Sequence, residues 1–174
     1  MEIFKITREN LEGNAYKGVD IGKWNAPANI TIEIEADLGK VFFGKGIYVK
    51  GAIIVKAGSG IKAGEGIEAG SGIKAGWSIK AGSGIEAGWD IETGWGIEAG
   101  WGIEAGESIK AGWGIISLFS TIKALTIKID MRCRLIAGCF SFGGAQEIEA
   151  QEIVGEIAYG IKKILPKEEQ KNER

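Results

Sequence analysis

From Val55 to Gly114 the chain repeats one six-residue pattern ten times: aliphatic, any, small, Gly, any, any. The first position holds Val55 and then an isoleucine at every sixth residue from Ile61 to Ile109. The third is alanine from Ala57 to Ala111, with Thr93 the one exception, and the fourth is glycine throughout, from Gly58 to Gly112. A repeat this strict constrains the fold before anything else, because every unit must meet its neighbours in the same way. Aliphatic, charged, small is a period-two alternation, so each unit holds a strand of about three residues with one buried face. Glycine at the fourth position ends that strand and can supply the positive φ of a tight corner. The expected fold is therefore all-β. It is a triangular parallel β-helix, a solenoid of about three hexads per coil with isoleucine and alanine inside.

A helix is excluded because isoleucine at every sixth position drifts around a 3.6-residue turn, and each glycine costs about 1 kcal/mol relative to alanine. Disorder is disfavoured despite 29 glycines, since Gly-rich disordered chains lack regularly placed large apolar residues. Each isoleucine here is worth roughly 1.5–3 kcal/mol once covered.

The hexads resemble those of the triangular parallel β-helix proteins. One branch is the left-handed hexapeptide-repeat family. The other is the bactofilin-like polymer-forming family, whose repeats are similar to Gly-Ile-Glu-Ala-Gly-Trp in this chain. The likeness covers about 60 of the 174 residues. Relative to the left-handed family the small and aliphatic positions are reversed, which leaves the handedness open.

Around the repeat the chain divides into four parts. Residues 1–29 form an irregular N-terminal cap, in which Phe4, Tyr16 and Trp24 cover the open end of the prism. Residues 30–116 are the hexad-repeat β-helix. It opens with wider coils at Ile30–Ile34, Val41–Phe43 and Ile47–Val49, and a two-residue register slip falls near Ile53-Ile54-Val55. Residues 117–165 form a β-rich C-terminal cap that includes one long strand from Leu125 to Leu135 and a turn at Phe140–Gly144. Within it, residues 146–165 fit either period, and Gly155 and Gly160 tilt the reading to strands. Residues 166–174 are a charged tail.

With an 18-residue coil, residues 18 apart stack about 4.8 Å from one another on the outer faces. One column reads Lys50, Glu68, Glu86, Glu104, a second Lys56, Lys74, Glu92, Lys110, and a third Lys62, Lys80, Glu98. Trp77, Trp95 and Trp113 form a ladder along one edge above Ser59, beside Lys74 and Lys110, and Trp89 and Trp101 fall on the other two edges. These indoles are either a recognition strip or a shield for the corner backbone. Candidate binding residues are Trp77, Trp95, Trp113, Lys74, Lys110, Glu68, Glu86 and Glu104.

The chain has no histidine, so a Ser-His or Cys-His nucleophile and the histidine base typical of hexapeptide-repeat acyltransferases are both excluded. Glu68 and Glu86 on a solvated face lack the burial that carboxylate catalysis calls for. No catalytic residue, cofactor or metal site is expected. Cys133 and Cys139 match no zinc spacing and read as reduced thiols. The net charge of −2 gives no pull toward nucleic acid or membrane, and indoles about 4.8 Å apart do not match bases about 3.4 Å apart, so a protein partner or self-association is expected first, with nucleic acid on the Trp and Lys columns the lesser alternative. There is no 18-residue apolar run and no signal-peptide plan at Met1–Lys5, so a cytoplasmic protein without a membrane span is expected.

The expected function is a non-catalytic module that blocks or sequesters a macromolecular partner. In style the chain resembles small accessory proteins of phages and mobile elements, some of which inhibit host defence, including CRISPR. The bactofilin resemblance implies instead a self-assembling scaffold. The hexapeptide-repeat resemblance implies a degenerate acyltransferase relative forming a trimer.

Overall fold

A computed structural model describes residues 2–18, 30–129, 134–139 and 147–166. Three sheets, of eight, nine and seven strands, surround one core, and the chain visits them in turn. In the repeat, Ile73–Ala75 belongs to the first sheet, Ile79–Ala81 to the second and Ile85–Ala87 to the third, before Ile91–Thr93 returns to the first. All pairings between successive coils are parallel. This is a parallel β-solenoid. Its core is a stack of side chains from alternate strand positions, with Ile61, Ile79, Ile97 and Ile115 each 0–1% exposed. The alternation in the sequence becomes in and out: in Ile67–Ala69 and Ile85–Ala87 the outer two residues are buried and the central glutamate is exposed.

Register confirms the 18-residue coil through the regular repeat. Ile73 pairs with Ile91 and Ile91 with Ile109. It corrects the start of the repeat. The inward-facing strand is Ile53–Val55, and Ile53 pairs with Ile73 while Val55 pairs with Ala75. The slip therefore falls after Val55, and Val55–Gly60 is not a hexad of the regular kind. Lys56 and Ala57 lie exposed on a longer corner ahead of Ser59–Ala63. Two of the expected columns change at their foot as a result. Tyr48, not Lys50, lies below Glu68, and Ile54, not Lys56, lies below Lys74. Lys56 instead sits 3.2 Å from Glu33.

The hexad glycines are required for a different reason from the one their position suggested. Of the ten, only Gly58 has a positive φ, +70°. From Gly64 to Gly112 the constraint is close stacking. A Cβ on Gly82 would fall on the carbonyl oxygen of Gly64, and one on Gly100 would fall on that of Gly82. Corner sits on corner, joined by bonds such as Gly82 N to Ala63 O (3.1 Å) and Gly100 N to Ala81 O (3.1 Å). No side chain fits between them.

At the N-terminal end, Glu2–Ile6 adds to the first sheet beside Ile30–Ile34. An antiparallel pair, Leu11–Glu12 with Ala15–Tyr16, closes the second sheet. Phe4 and Tyr16 pack against the core, and the Tyr16 and Phe43 rings lie 5.3 Å apart. Burial raises the Tyr16 hydroxyl pKa above its ordinary value. The expected long strand from Leu125 to Leu135 is two strands on different sheets, Thr126–Ile129 in the first and Arg134–Ala137 in the second. A coil this narrow cannot hold eleven residues on one side, so the alternation in the sequence spans two sheets. Residues 147–164 form four strands that extend all three sheets, from Glu147–Ala150 to Ile161–Ile164. Trp24, Cys133, the Phe140–Gly144 turn and the charged tail beyond residue 166 lie outside the described residues.

Candidate functional site: the tryptophan edge

The corner between the first and second sheets carries Trp77, Trp95 and Trp113, one per coil. Their backbones are bonded directly, Trp95 N to Trp77 O (3.2 Å) and Trp113 N to Trp95 O (2.9 Å), so main-chain hydrogen bonds set the spacing of the indoles. The rings stack with centroids 5.9 and 5.7 Å apart and interplanar angles of 27° and 19°. Both separations exceed the coil rise of about 4.8 Å, as expected for offset stacking, the favoured arrangement for aromatic pairs. The rings are nonetheless 41, 53 and 51% exposed. Trp77 N also bonds to Ser59 O (2.9 Å), which places Ser59 at the foot of the ladder. The Ser59 side chain turns inward. It is fully buried, donates to Glu35 O and accepts from Leu38 N.

Beside the ladder, on the outer face of the second sheet, runs an open groove of about 570 Å³. Trp95 and Trp113 form one side, and Glu98, Ile116 and Ile136 the other. Lys80 and Glu98, stacked one coil apart, are joined by a 2.6 Å ion pair. Sequence reasoning placed Lys80 and Glu98 in one column but missed the groove. Its signal is the run of small residues next to the indoles, Ser78, Gly96 and Gly114, which leaves a channel where a side chain would otherwise stand.

The remaining candidate residues separate onto other faces. Lys74 and Lys110 flank Glu92 on the first sheet, 3.0 and 3.9 Å from its carboxylate, so that column is largely self-neutralised. Glu68, Glu86 and Glu104 stack on the third sheet as expected. Lys123 reaches Glu104 from the coil above at 3.2 Å, whereas Glu68 and Glu86 have no cation within ion-pair distance among the described residues. The structure thus unites the three tryptophans in one site and leaves the lysines and glutamates outside it. Of the other indoles, Trp101 packs against Phe119 (5.7 Å) on the edge between the second and third sheets, and Trp89 is 65% exposed on the remaining edge. No cluster of metal-ligating side chains occurs among the described residues, and no helix is long and apolar enough to cross a membrane.

Compared with protein-family models, with curated proteins and with solved structures, the chain has no match in any of the three.

Proposed function

We propose that this protein is a non-catalytic binding module whose contact edge is the ladder of Trp77, Trp95 and Trp113 with the groove beside it. The observation that carries this is the exposure of three successively stacked indoles whose backbones are hydrogen-bonded coil to coil. Tryptophan is the residue most enriched where interfaces concentrate their energy, and a rigid presentation avoids the entropic cost of ordering it on binding. The absence of histidine and the solvated setting of the glutamates support a role that is not catalytic. Such a module acts by occupation, as an inhibitor of a host-defence complex would. The free thiol of Cys139 fits a reducing compartment such as the cytoplasm. The test is comparative capture from host cells with the wild-type chain and a Trp77→Ala/Trp95→Ala/Trp113→Ala variant of verified fold. A partner held by the first and lost by the second supports the assignment. Identical captured sets would refute it.

A second reading, a scaffold that assembles through the ends of the solenoid, is favoured by one observation. The last strand of the third sheet exposes Ile161 (61%) and Ile164 (53%), with Val154 and Tyr159 exposed nearby on the neighbouring edges. Light scattering across a concentration series tests it. Growth into long polymers supports the scaffold, and a discrete species at all concentrations rules it out.

A further inference from the structure

Next to the tryptophan ladder, one column on the second sheet carries almost no side chains between its two ends. In register order it reads Lys40, Gly60, Ser78, Gly96, Gly114 and Arg134. Ser78, Gly96 and Gly114 make the floor of the groove, and Lys40 and Arg134 stand at its lower and upper limits. The five inter-coil steps between them span roughly 24 Å, the reach of about seven residues of extended chain.

The charges are arranged unevenly along this length. At mid-groove the 2.6 Å pair of Lys80 and Glu98 cancels internally. Above it, Ile116 and Ile136 are half-buried and turn apolar surface toward the indoles. Lys40 is exposed and has no anionic partner among the described residues. Among the described residues, the one anionic partner of Arg134 is Glu156, an exposed contact at 3.7 Å that an incoming carboxylate can replace. Lys62, over the Phe42 ring at 5.4 Å, adds a further cation on the same face. The groove is thus apolar in its upper part, neutral in the middle, cationic at its lower limit, and bounded above by an arginine whose partner is exposed and exchangeable.

The ladder also discriminates between ligand classes. Nucleobases and sugar rings gain most by lying on an indole face. Here the facing surfaces of the three rings cover one another, so a ligand lying along the groove meets indole edges and isoleucine methyl groups. Aliphatic side chains match that surface. We propose that the groove seats an acidic peptide segment of a protein partner, extended along the solenoid axis, with aliphatic side chains against Trp95, Trp113, Ile116 and Ile136 and carboxylates at Lys40 and Arg134. This names the partner class of the binding edge argued above and rests on that reading.

The experiment is a selection from a random twelve-residue peptide library against the immobilised full-length chain, followed by anisotropy titration of the enriched peptides. Heparin and oligo(dT) serve as non-peptide probes. The expected result is enrichment of acidic peptides with interspersed aliphatic residues. Their binding should weaken about thirtyfold in Trp95→Ala and about tenfold in the Lys40→Glu/Arg134→Glu variant, with Trp95→Phe retaining most of it. Enriched peptides that need Trp95 but carry no acidic bias, or that ignore the charge reversal, overturn the acidic-peptide assignment and leave the binding edge standing. Heparin or oligo(dT) binding lost in Trp95→Ala, with no peptide enriched, has the same effect. Peptides that bind equally to Trp95→Ala, or no binding by any probe, overturn both.

Discussion

Gly100 and Gly102 lie two residues apart in the same hexad, yet alanine should act on them in opposite directions. At Gly100 an added Cβ falls on the Gly82 carbonyl oxygen, with the carbonyl carbon 3.0 Å away. Neither atom can retreat, because the coils are held by Gly100 N to Ala81 O (3.1 Å) below and Leu118 N to Ala99 O (3.0 Å) above. Overpacking of this kind costs about 1–3 kcal/mol, and straining one corner hydrogen bond adds about 1 kcal/mol. Restricting the unfolded chain returns about 0.4–1 kcal/mol, so Gly100→Ala should destabilise by roughly 1–3.5 kcal/mol. At Gly102 the nearest atom to a Cβ is Thr121 O at 3.7 Å, an ordinary contact. Gly102→Ala keeps the unfolded-state gain of about 0.4–1 kcal/mol with little offset. Urea denaturation followed by far-ultraviolet circular dichroism gives both differences from the midpoints, provided the slopes agree. In thermal melts each kcal/mol corresponds to about 2–4 °C for a chain of this size. If Gly100→Ala proved as stable as Gly102→Ala, the claim that stacking rather than φ dictates these glycines would be wrong.

Thr93 stands where the other hexads have alanine, and its buried hydroxyl has no hydrogen-bond partner among the described residues. Thr93→Val should therefore stabilise by about 1 kcal/mol, read as a rise in urea midpoint, and a fall would mean that the hydroxyl is satisfied in solution. Glu86→Lys turns three stacked carboxylates into an alternating column and should stabilise by about 0.2–1 kcal/mol at low salt. The gain should vanish in 1 M NaCl, and a salt-independent effect would exclude an electrostatic origin. The Glu149 carboxyl is held below its ordinary pKa by its hydrogen bond with Glu147 and then by that with Lys163. A depressed carboxyl pKa adds stability above the unfolded value that is lost as pH falls through the folded one. A carbon-detected NMR titration should therefore place the Glu149 midpoint below that of an unperturbed glutamate and move it upward in Lys163→Met. A midpoint at the ordinary value would show that the two Lys163 contacts of 3.0 Å do not persist.

Where the repeat is strict, the arrangement could be read directly from the sequence. The isoleucine interval, the tryptophan ladder and the carboxylate column on the third sheet all follow from counting by eighteen, three hexads to a coil. Legibility fails where a coil changes length. Val55 satisfies the hexad pattern as an aliphatic residue before Lys56 and Ala57, yet the strand that faces the core ends there, and Lys56 goes to Glu33 instead of the column below Lys74. The alternation from Leu125 to Leu135 carries no mark of the change of sheet within it, since the same apolar–polar pattern runs through both strands. Residues 146–165 allowed two periods because Val154, Ile157 and Ile161 are spaced for a helix as well as for short strands. Pairing with earlier coils decides in favour of strands. The groove was hidden for another reason: its floor is an absence of side chains, and its ends, Lys40 and Arg134, are brought into line by coils of twenty residues rather than eighteen.

Because each interior coil touches only the coils immediately before and after it, copying one eighteen-residue unit would leave every existing interface unchanged. Duplicating residues 79–96 would add one more indole to the edge and lengthen the groove by about 4.8 Å. The reach of the contact surface can therefore grow in fixed increments by gene duplication alone, with no redesign of the core.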